Sequence, residues 1–595
     1  MSAKVNNLNT LNMKNPIFYS IFKPSILIIL SLMLIILRGS AQNSSVEPYD
    51  ILISEFMANP QINPNMPGVE YIELYNRSNK IIKLKGFKLI NGSDTSSLFP
   101  DTSLLPKKYV IVYARKSGLN LSSYGDTISL PKFPTLSNPN DIFSLKSPKD
   151  SVIDAASYDL SYYQDAIKAK GGYSLERINI NAFCSTNNWI ASKDLNGGTP
   201  GKKNSVYQDT LDKTSPEVIL AYPENSRTIV LNFDKSMKRD TGNIRSQISI
   251  DNNLKIDAVK ILDTIFFTSF QLKLNSNLSP RQIYKLILKT TLKDCKDIPL
   301  SKEDTIKIQL PKKVGYKDLI INELLMNPEV GGSRFLEIYN RSDTVVDLFK
   351  FIIKDIKKND EKPITSHYPL FPKEYVALTE NPLYIQNRYK ASKYKKAIIK
   401  NKLPTWDDVS GNVTLYNESK SVIIDTFNYN KSYHNPLLPN TEGVSLERIN
   451  PNESTNNAAN WHSAAASVLY ATPAYQNSQL STTPSVSSNN EEIFKLLNKT
   501  FSPNDDGFQD YLLMHYSIDK KGYLANISIY DMEGRLVKRL TINELLTTEG
   551  QIKWDGETDE RLVASVGTYI IYIELIDPDG GVKKFKKLCV LADKF

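Results

Sequence analysis

Cysteine is scarce. The 595 residues hold three, Cys184, Cys295 and Cys589. Each falls in a different prospective module, so neither a CxxC metal site nor a disulfide framework within one module can be built. In an exported chain this reads as avoidance of reactive thiols. There are four histidines, His367, His434, His462 and His515, and no two stand at HExxH spacing. No GxSxG and no P-loop appears, nor a GxGxxG between a strand and a helix. Those absences remove the local signatures of zinc proteases, serine hydrolases and nucleotide enzymes. They say nothing of triads or carboxylate pairs assembled from distant residues.

Long apolar runs are also lacking. The one candidate is Ser25 to Leu37, thirteen uncharged residues, short of the roughly 20 that a membrane span requires. Lys14 and Lys23 precede it and Arg38-Gly39-Ser40-Ala41 follows, the layout of a secretory signal. Residues 1–41 are therefore expected to be a signal segment cut near Ala41, with an uncleaved anchor as the alternative. No cysteine follows the run, which argues against a lipoprotein anchor. No later segment is long enough to span as a helix, so none is expected in the mature chain.

The net charge is +9, and four of those charges, Lys4, Lys14, Lys23 and Arg38, lie in the signal segment. The rest is too dilute for a nucleic-acid partner, which calls for concentrated basic patches. The basic run Lys390 to Lys400 reads as a solvated face. With 25 Gly and 31 Pro the chain is not collagen-like, and 41% hydrophobic residues permit packed cores. Tyr (32) exceeds Phe (22), and Tyr, Thr, Val and Ile favour strands.

What is present is a long repeat. ILISEFMANP (51–60) matches LIINELLMNP (319–328), and EYIELYNRS (70–78) matches RFLEIYNRS (334–342). VIDAASY, GGYSLERIN, Trp189 and TPGKKNS recur as VIIDTFNY, EGVSLERIN, Trp461 and TPAYQNS in the same order. Six blocks in register define two copies of one unit, 48–206 and 316–479. YIELYN alternates residue by residue, with Tyr71, Glu73 and Tyr75 on one face, which is the strand period. Pro, Gly and Asn punctuate at short intervals, and no helical period is sustained in either copy.

These blocks resemble the lamin-tail domain, an Ig-like β-sandwich. The resemblance rests on Ser54-Glu55, Asn59-Pro60, Glu70 to Asn76, Ser174-Leu175-Glu176-Arg177, Trp189 and Gly198-Thr199-Pro200-Gly201 with Asn204-Ser205. Copy two departs at Arg334-Phe335, at Tyr470-Ala471 and at Ala474, which stands in place of Gly201. Lost glycines remove easy positive-φ geometry, so that closing loop is expected to differ.

The recurrent acids Glu55, Glu73 and Glu176, against Glu323, Glu337 and Glu447, admit a metal or catalytic reading. The structural alternative has each glutamate cap backbone N–H groups. In that alternative Glu176 pairs with Arg177 or Arg77, and Glu447 with Arg448 or Arg341. Trp189 and Trp461 read as core residues.

Residues 212–312 resemble a bacterial Ig-like domain of surface-layer proteins, through Ser215-Pro216, Ile229 to Phe233 and Asp234-Lys235-Ser236-Met237. Residues 480–492 are a Ser/Thr/Pro/Asn linker. Residues 493–595 resemble the FlgD-type Ig-like domain and the C-terminal domain of gliding-motility and type IX secreted proteins. Phe501-Ser502-Pro503-Asn504, Asp506-Gly507, Ile529-Tyr530-Asp531, Gly534-Arg535, Trp554-Asp555-Gly556 and Gly567 with Tyr569 carry that resemblance. Arg561 departs from it where glycine is usual. Oxygens of Ser502, Asn504, Asp506 and Asp510 alternate around Gly507, as a structural calcium loop requires, with Asn504, Asp506 and Asp510 as ligands. An Asx-turn cluster without metal explains the same residues. No other cofactor is implied.

The expected fold class is all-β, a string of four Ig-like β-sandwiches after an N-terminal signal helix. The expected function is non-enzymatic: a secreted or cell-surface, outer-membrane-associated protein for adhesion or envelope architecture. Its expected partners are envelope or extracellular proteins or polysaccharide, and the export machinery through the terminal module. The alternatives are an accessory protein binding polysaccharide or nucleic acid beside secreted hydrolases, or a hydrolase using the repeated glutamates.

Overall fold

The computed structural model describes residues 45–593, apart from 61–64, 117–118, 166, 390, 437, 439, 481–492, 505–508 and 520. The expected signal segment and nearly all of the expected linker lie outside the described residues. Within them the regular structure is nearly all strand, as the composition implies, with two short α-helices, Thr241–Gln247 and Pro382–Arg388.

Both copies build the same pair of sheets. In copy one a six-stranded sheet runs Trp189–Ala191, Leu175–Arg177, Ile51–Met57, Tyr71–Asn76, Tyr109–Ala114 and Thr127–Leu130. In copy two the same order is Trp461–Ser463, Leu446–Arg448, Leu319–Leu325, Phe335–Asn340, Tyr375–Thr379 and Ile398–Lys400. All pairings in these sheets are antiparallel except the last in each, which is parallel. A four-stranded sheet faces each one. Ile51, Ile53, Phe56, Ile72 and Leu74 fill the space between the sheets in copy one, with Phe143, Leu145 and Trp189.

The central strands depart from simple alternation. Every residue of Ile51–Met57 and of Tyr71–Asn76 is buried. The period-two pattern is real, but its polar face is also covered, by the closing loop of each copy and a small second cluster around Tyr71, Ile111 and Tyr113. In copy two the helix Pro382–Arg388 adds to that cover through Ile385. Its N-cap Asn381 accepts from the Tyr384 N–H. At seven residues it is too short to show a helical period in sequence.

Residues 218–308 form a four-stranded and a three-stranded sheet around Ile229, Leu231, Phe270 and Leu286. The C-terminal segment pairs a three-stranded with a five-stranded sheet around Trp554, Ile527 and Ile571.

One expectation fails here. Cys184 and Cys295 form a disulfide across 111 residues. They do lie in different modules, as the sequence implies, but the modules are apposed and the bond joins them. Around it Ser236 N–H donates to the Cys184 carbonyl (2.8 Å) and Cys295 N–H to the Ser236 carbonyl (2.8 Å). Arg239 lies over the Phe267 ring and donates to the Val152 carbonyl. The modules also touch one another beyond that bond. His367 of copy two stacks between its own Phe349 and Tyr222 of the intervening module, each at 4.0 Å. Lys400 lies 2.6 Å from Asp159 of copy one, and Lys395 and Lys396 lie beside Glu217. The basic run thus faces neighbouring modules rather than solvent alone, although such half-exposed pairs contribute little stability.

Candidate functional site

The repeated acids converge. Antiparallel register sets Glu55 opposite Glu73 on one side and Glu176 on the other. Glu323 is set opposite Glu337 and Glu447 in the same way. Directly opposed residues share a sheet face, so each copy carries three carboxyls in a row. All six glutamates have 0% exposure.

The closing loop seals each row. Thr199 N–H and Oγ1 bond Glu55, and Gly201 N–H bonds Glu73, which also accepts from Ser54 Oγ. Glu176 accepts from Ser205 Oγ at 2.8 Å and from Val206 N–H at 3.1 Å. Copy two repeats this with Thr472 on Glu323, Ala474 N–H on Glu337, and Ser478 and Gln479 on Glu447. The backbone-capping expectation therefore holds. The arginine-pairing expectation does not: Arg177 and Arg448 lie on the opposite side of the strand and bond other partners.

The closing loop of copy two keeps left-handed backbone where glycine is lost, although the turn before it, Ala466–Val468, is its own. Ala474 adopts φ +70° where Gly201 has +78°, and Tyr470 has +69°. Left-handed geometry costs an L-residue about 1–2 kcal/mol. The bond from the residue 474 N–H to a buried carboxyl holds it there. In copy one a side chain would not fit, because a Cβ on Gly201 would meet the Tyr124 carbonyl at 1.7 Å.

Proton counting constrains the charge of the rows. Thr199 Oγ1 has one hydrogen but lies 2.8 Å from Glu55 and 3.0 Å from Glu176. Thr472 Oγ1 stands likewise between Glu323 (3.0 Å) and Glu447 (2.7 Å). Each contact pair is satisfied when one carboxyl is protonated and donates to the hydroxyl. Burial, and then the neighbouring carboxylate, drive the same way. Glu55 is raised to about 7 and Glu323 to about 8, while Glu73 and Glu337 rise well above the usual range.

Folded-state values above the unfolded ones mean that this stabilisation is complete below about pH 4.3. It is lost as pH rises through about 7 for Glu55 and about 8 for Glu323. We expect urea stability to fall by about 3 kcal/mol or more between pH 5 and 9, followed by fluorescence of the buried Trp189 and Trp461. Glu323→Gln should flatten that slope for copy two. An unchanged slope would refute the shared proton.

On the opposite side of the same strand sits a buried ion pair. Strand Ile51–Met57 is bulged between Ile53 and Glu55, and Leu175–Arg177 pairs with it at Glu55 and Phe56. The Ile53 backbone is bonded by side chains instead: its N–H donates to Asp154 Oδ2 and its carbonyl accepts from Arg177 Nε, both 2.7 Å. Arg177 Nη2 closes the pair on Asp154 at 2.5 Å. Copy two repeats the motif with Ile321, Arg448 and Asp425, and adds Lys317 on Asp425. Trp189 and Trp461 pack under the arginines, at 4.6 and 5.1 Å, and are 3% exposed.

The other candidate site is only partly described. Asn504 and Asp510 are described and Asp506 lies outside the described residues. Ser502 Oγ donates to the Asp593 carbonyl at 2.8 Å. Among the described residues no group of three or more His, Cys, Asp or Glu is arranged to hold a metal ion.

Several solved structures are similar at low identity. The N-terminal part of the bacterial S-layer protein SbsC is 13% identical, covering 28% of this chain and 40% of that one, with a TM-score of 0.16. PorZ, a type-IX secretion surface component of Porphyromonas gingivalis, is 12% identical over 76% of this chain and 56% of its own, TM-score 0.16. A DUF4876 family protein from Bacteroides thetaiotaomicron is 12% identical over 34% and 83%, TM-score 0.17. The chain spans about half the length of two longer SbsC structures, 55% and 54%. Scores this low transfer no property. No curated protein matches. The family comparison agrees with the repeat: residues 45–159 and 314–431 each match the Lamin Tail Domain, so this chain carries two lamin tail domains.

Proposed function

We propose that this is an exported, non-enzymatic protein whose β-sandwich modules serve adhesion or envelope architecture at the cell surface. The observation that carries the export part is the Cys184–Cys295 bond. Disulfides persist in oxidising compartments and are rare where thiols are kept reduced. Both the short apolar run after Lys23 and the resemblance of residues 212–312 to surface-layer Ig-like domains fit that location.

The structural role of the repeated acids supports the absence of catalysis. A catalytic carboxyl must reach substrate, whereas these six are fully enclosed and occupied by their own closing loops. The terminal module fits the FlgD-type reading. Asp531 closes the tight turn to Arg535 through the Arg535 N–H at 2.9 Å, with Gly534 at φ +81°. Arg561 stands at φ +61°, a left-handed position at which the resembled family has glycine. In this reading the terminal module addresses the export machinery, and calcium at Asn504, Asp506 and Asp510 would act only to stabilise its first turn.

Protease treatment of intact cells, with mass spectrometry of the mature termini, tests the proposal. Accessible modules and a start near Gln42 are expected; a protected intracellular chain with Cys184 reduced would overturn it. Pull-downs on glycans and DNA at graded salt address the accessory-binding alternative, since phosphate contacts weaken steeply with salt.

A further inference from the structure

Two histidines found only in copy two sit where the terminal module touches it. Aligning the repeats places Tyr163 opposite His434 and Ile190 opposite His462. His434 follows the turn Lys431–Tyr433 and is 5% exposed. Its Nδ1 lies 2.9 Å from Ser463 Oγ, and its buried Nε2 has no hydrogen-bond partner among the described residues. His462 Nδ1 lies 3.1 Å from the Ser463 carbonyl. Its Nε2 faces Gly522 of the terminal module, 2.7 Å from where a Cβ would stand. Beside them Asn435 Nδ2 donates to the Gly522 carbonyl at 3.1 Å, and Gln479 Nε2 to the Leu546 carbonyl at 3.5 Å.

We propose that this seam is an acid-opened joint: protonation of His434 and His462 releases the terminal module from the second lamin tail domain, while both remain folded. The charged surroundings favour it. Lys431 acts on His434 from its own segment, and Lys521 acts on His462 from the terminal module. Glu447 is the register partner of His462, but its oxygens are taken by Thr472, Ser478 and the Gln479 N–H. Asp519 accepts from Tyr523, Asp577 is closed in its own turn, and Glu544 acts on Tyr470. A proton on either ring therefore adds a cation to a buried cationic seam.

Burial holds His434 down to about 3 and lowers His462, while Lys521 is pushed down to about 8. The docked form binds fewer protons than the separated one, whose exposed imidazoles titrate near about 6.5. The histidine penalty on docking is thus absent above about pH 7. Docking weakens by up to about tenfold per pH unit below about 6.5 for each histidine that separation exposes. The protonated glutamate rows are undisturbed by acid, so the modules keep their fold as the joint opens.

The test uses the full chain between pH 7.5 and 4.5, read by small-angle scattering and by hydrogen exchange of residues 521–524 corrected for intrinsic rates. A larger radius of gyration and at least tenfold faster exchange at pH 4.5, with unchanged circular dichroism, are expected. H434Q/H462Q, or H434Y/H462I with the first copy's residues, should remove the pH dependence. N435A, which keeps both rings, should weaken docking at every pH and retain the slope. Exchange indifferent to pH in the native chain and in N435A, or a slope that survives loss of both histidines, overturns the proposal.

Discussion

Reduction of the Cys184–Cys295 bond is expected to lower the stability of the first lamin tail domain and the intervening module by about 4–5 kcal/mol. The bond spans 111 residues, and closing a loop of that size removes about 4.7 kcal/mol of unfolded-chain entropy in the loop-entropy description. The loop contains the buried intervening core except Leu300 and Ile308, and the closing segment of copy one that covers its glutamates. Guanidinium unfolding with and without dithiothreitol, repeated on Cys184→Ser/Cys295→Ser, measures it. The remaining thiol, Cys589, is buried in the terminal module and does not confuse the comparison. The double variant should match the reduced native chain and be insensitive to reductant. Equal midpoints for oxidised and reduced protein would show that the bond carries no stability.

Arg177→Leu should cost about 3–5 kcal/mol, the range for breaking a buried pair and stranding its partner. Arg177 and Asp154 are both 2% exposed, and among the described residues Arg177 is the cation within ion-pair distance of Asp154. The substitution also removes the donor to the Ile53 carbonyl. Arg448→Leu should cost less, because Lys317 remains on Asp425 and Thr455 Oγ1 bonds the same carboxylate at 2.6 Å. The difference between the two substitutions is the sharper quantity. It is read from unfolding curves of each variant, with Trp189 reporting copy one and Trp461 copy two. Equal losses would mean that Lys317 does not compensate. A loss under about 1 kcal/mol at Arg177 would mean that Asp154 is uncharged without it, in keeping with the raised value that burial gives its carboxyl.

Both effects depend on contacts that the strand pattern alone did not disclose. YIELYN shows which residues share a face, because side chains alternate along any strand. It is silent on what covers that face, and a polar face against water reads the same as one under a closing loop. The closing-loop bonds that cap Glu73 and Glu55 join residues 128 and 144 positions apart, Gly201 with Glu73 and Thr199 with Glu55, and those on Glu176 span 23 to 30. Adjacency in sequence offers Arg177, beside Arg77, as a partner for Glu176, yet adjacent strand residues point to opposite faces. The closing loop was expected to change where glycine was lost; the buried carboxyl instead imposed the same backbone on Ala474.

The sequence by itself determined the repeat, the β class, the two tryptophans as core residues and the resemblance to the lamin tail domain. Each is a property of local period or of recurring blocks, and those survive in one dimension. Tertiary structure alone decided that Cys184 meets Cys295, that three acids per copy lie in one buried row, and that His462 lies against Gly522. Such juxtapositions arise from sheet register and from modules packing on one another, which fix distances between residues that the linear order leaves unrelated.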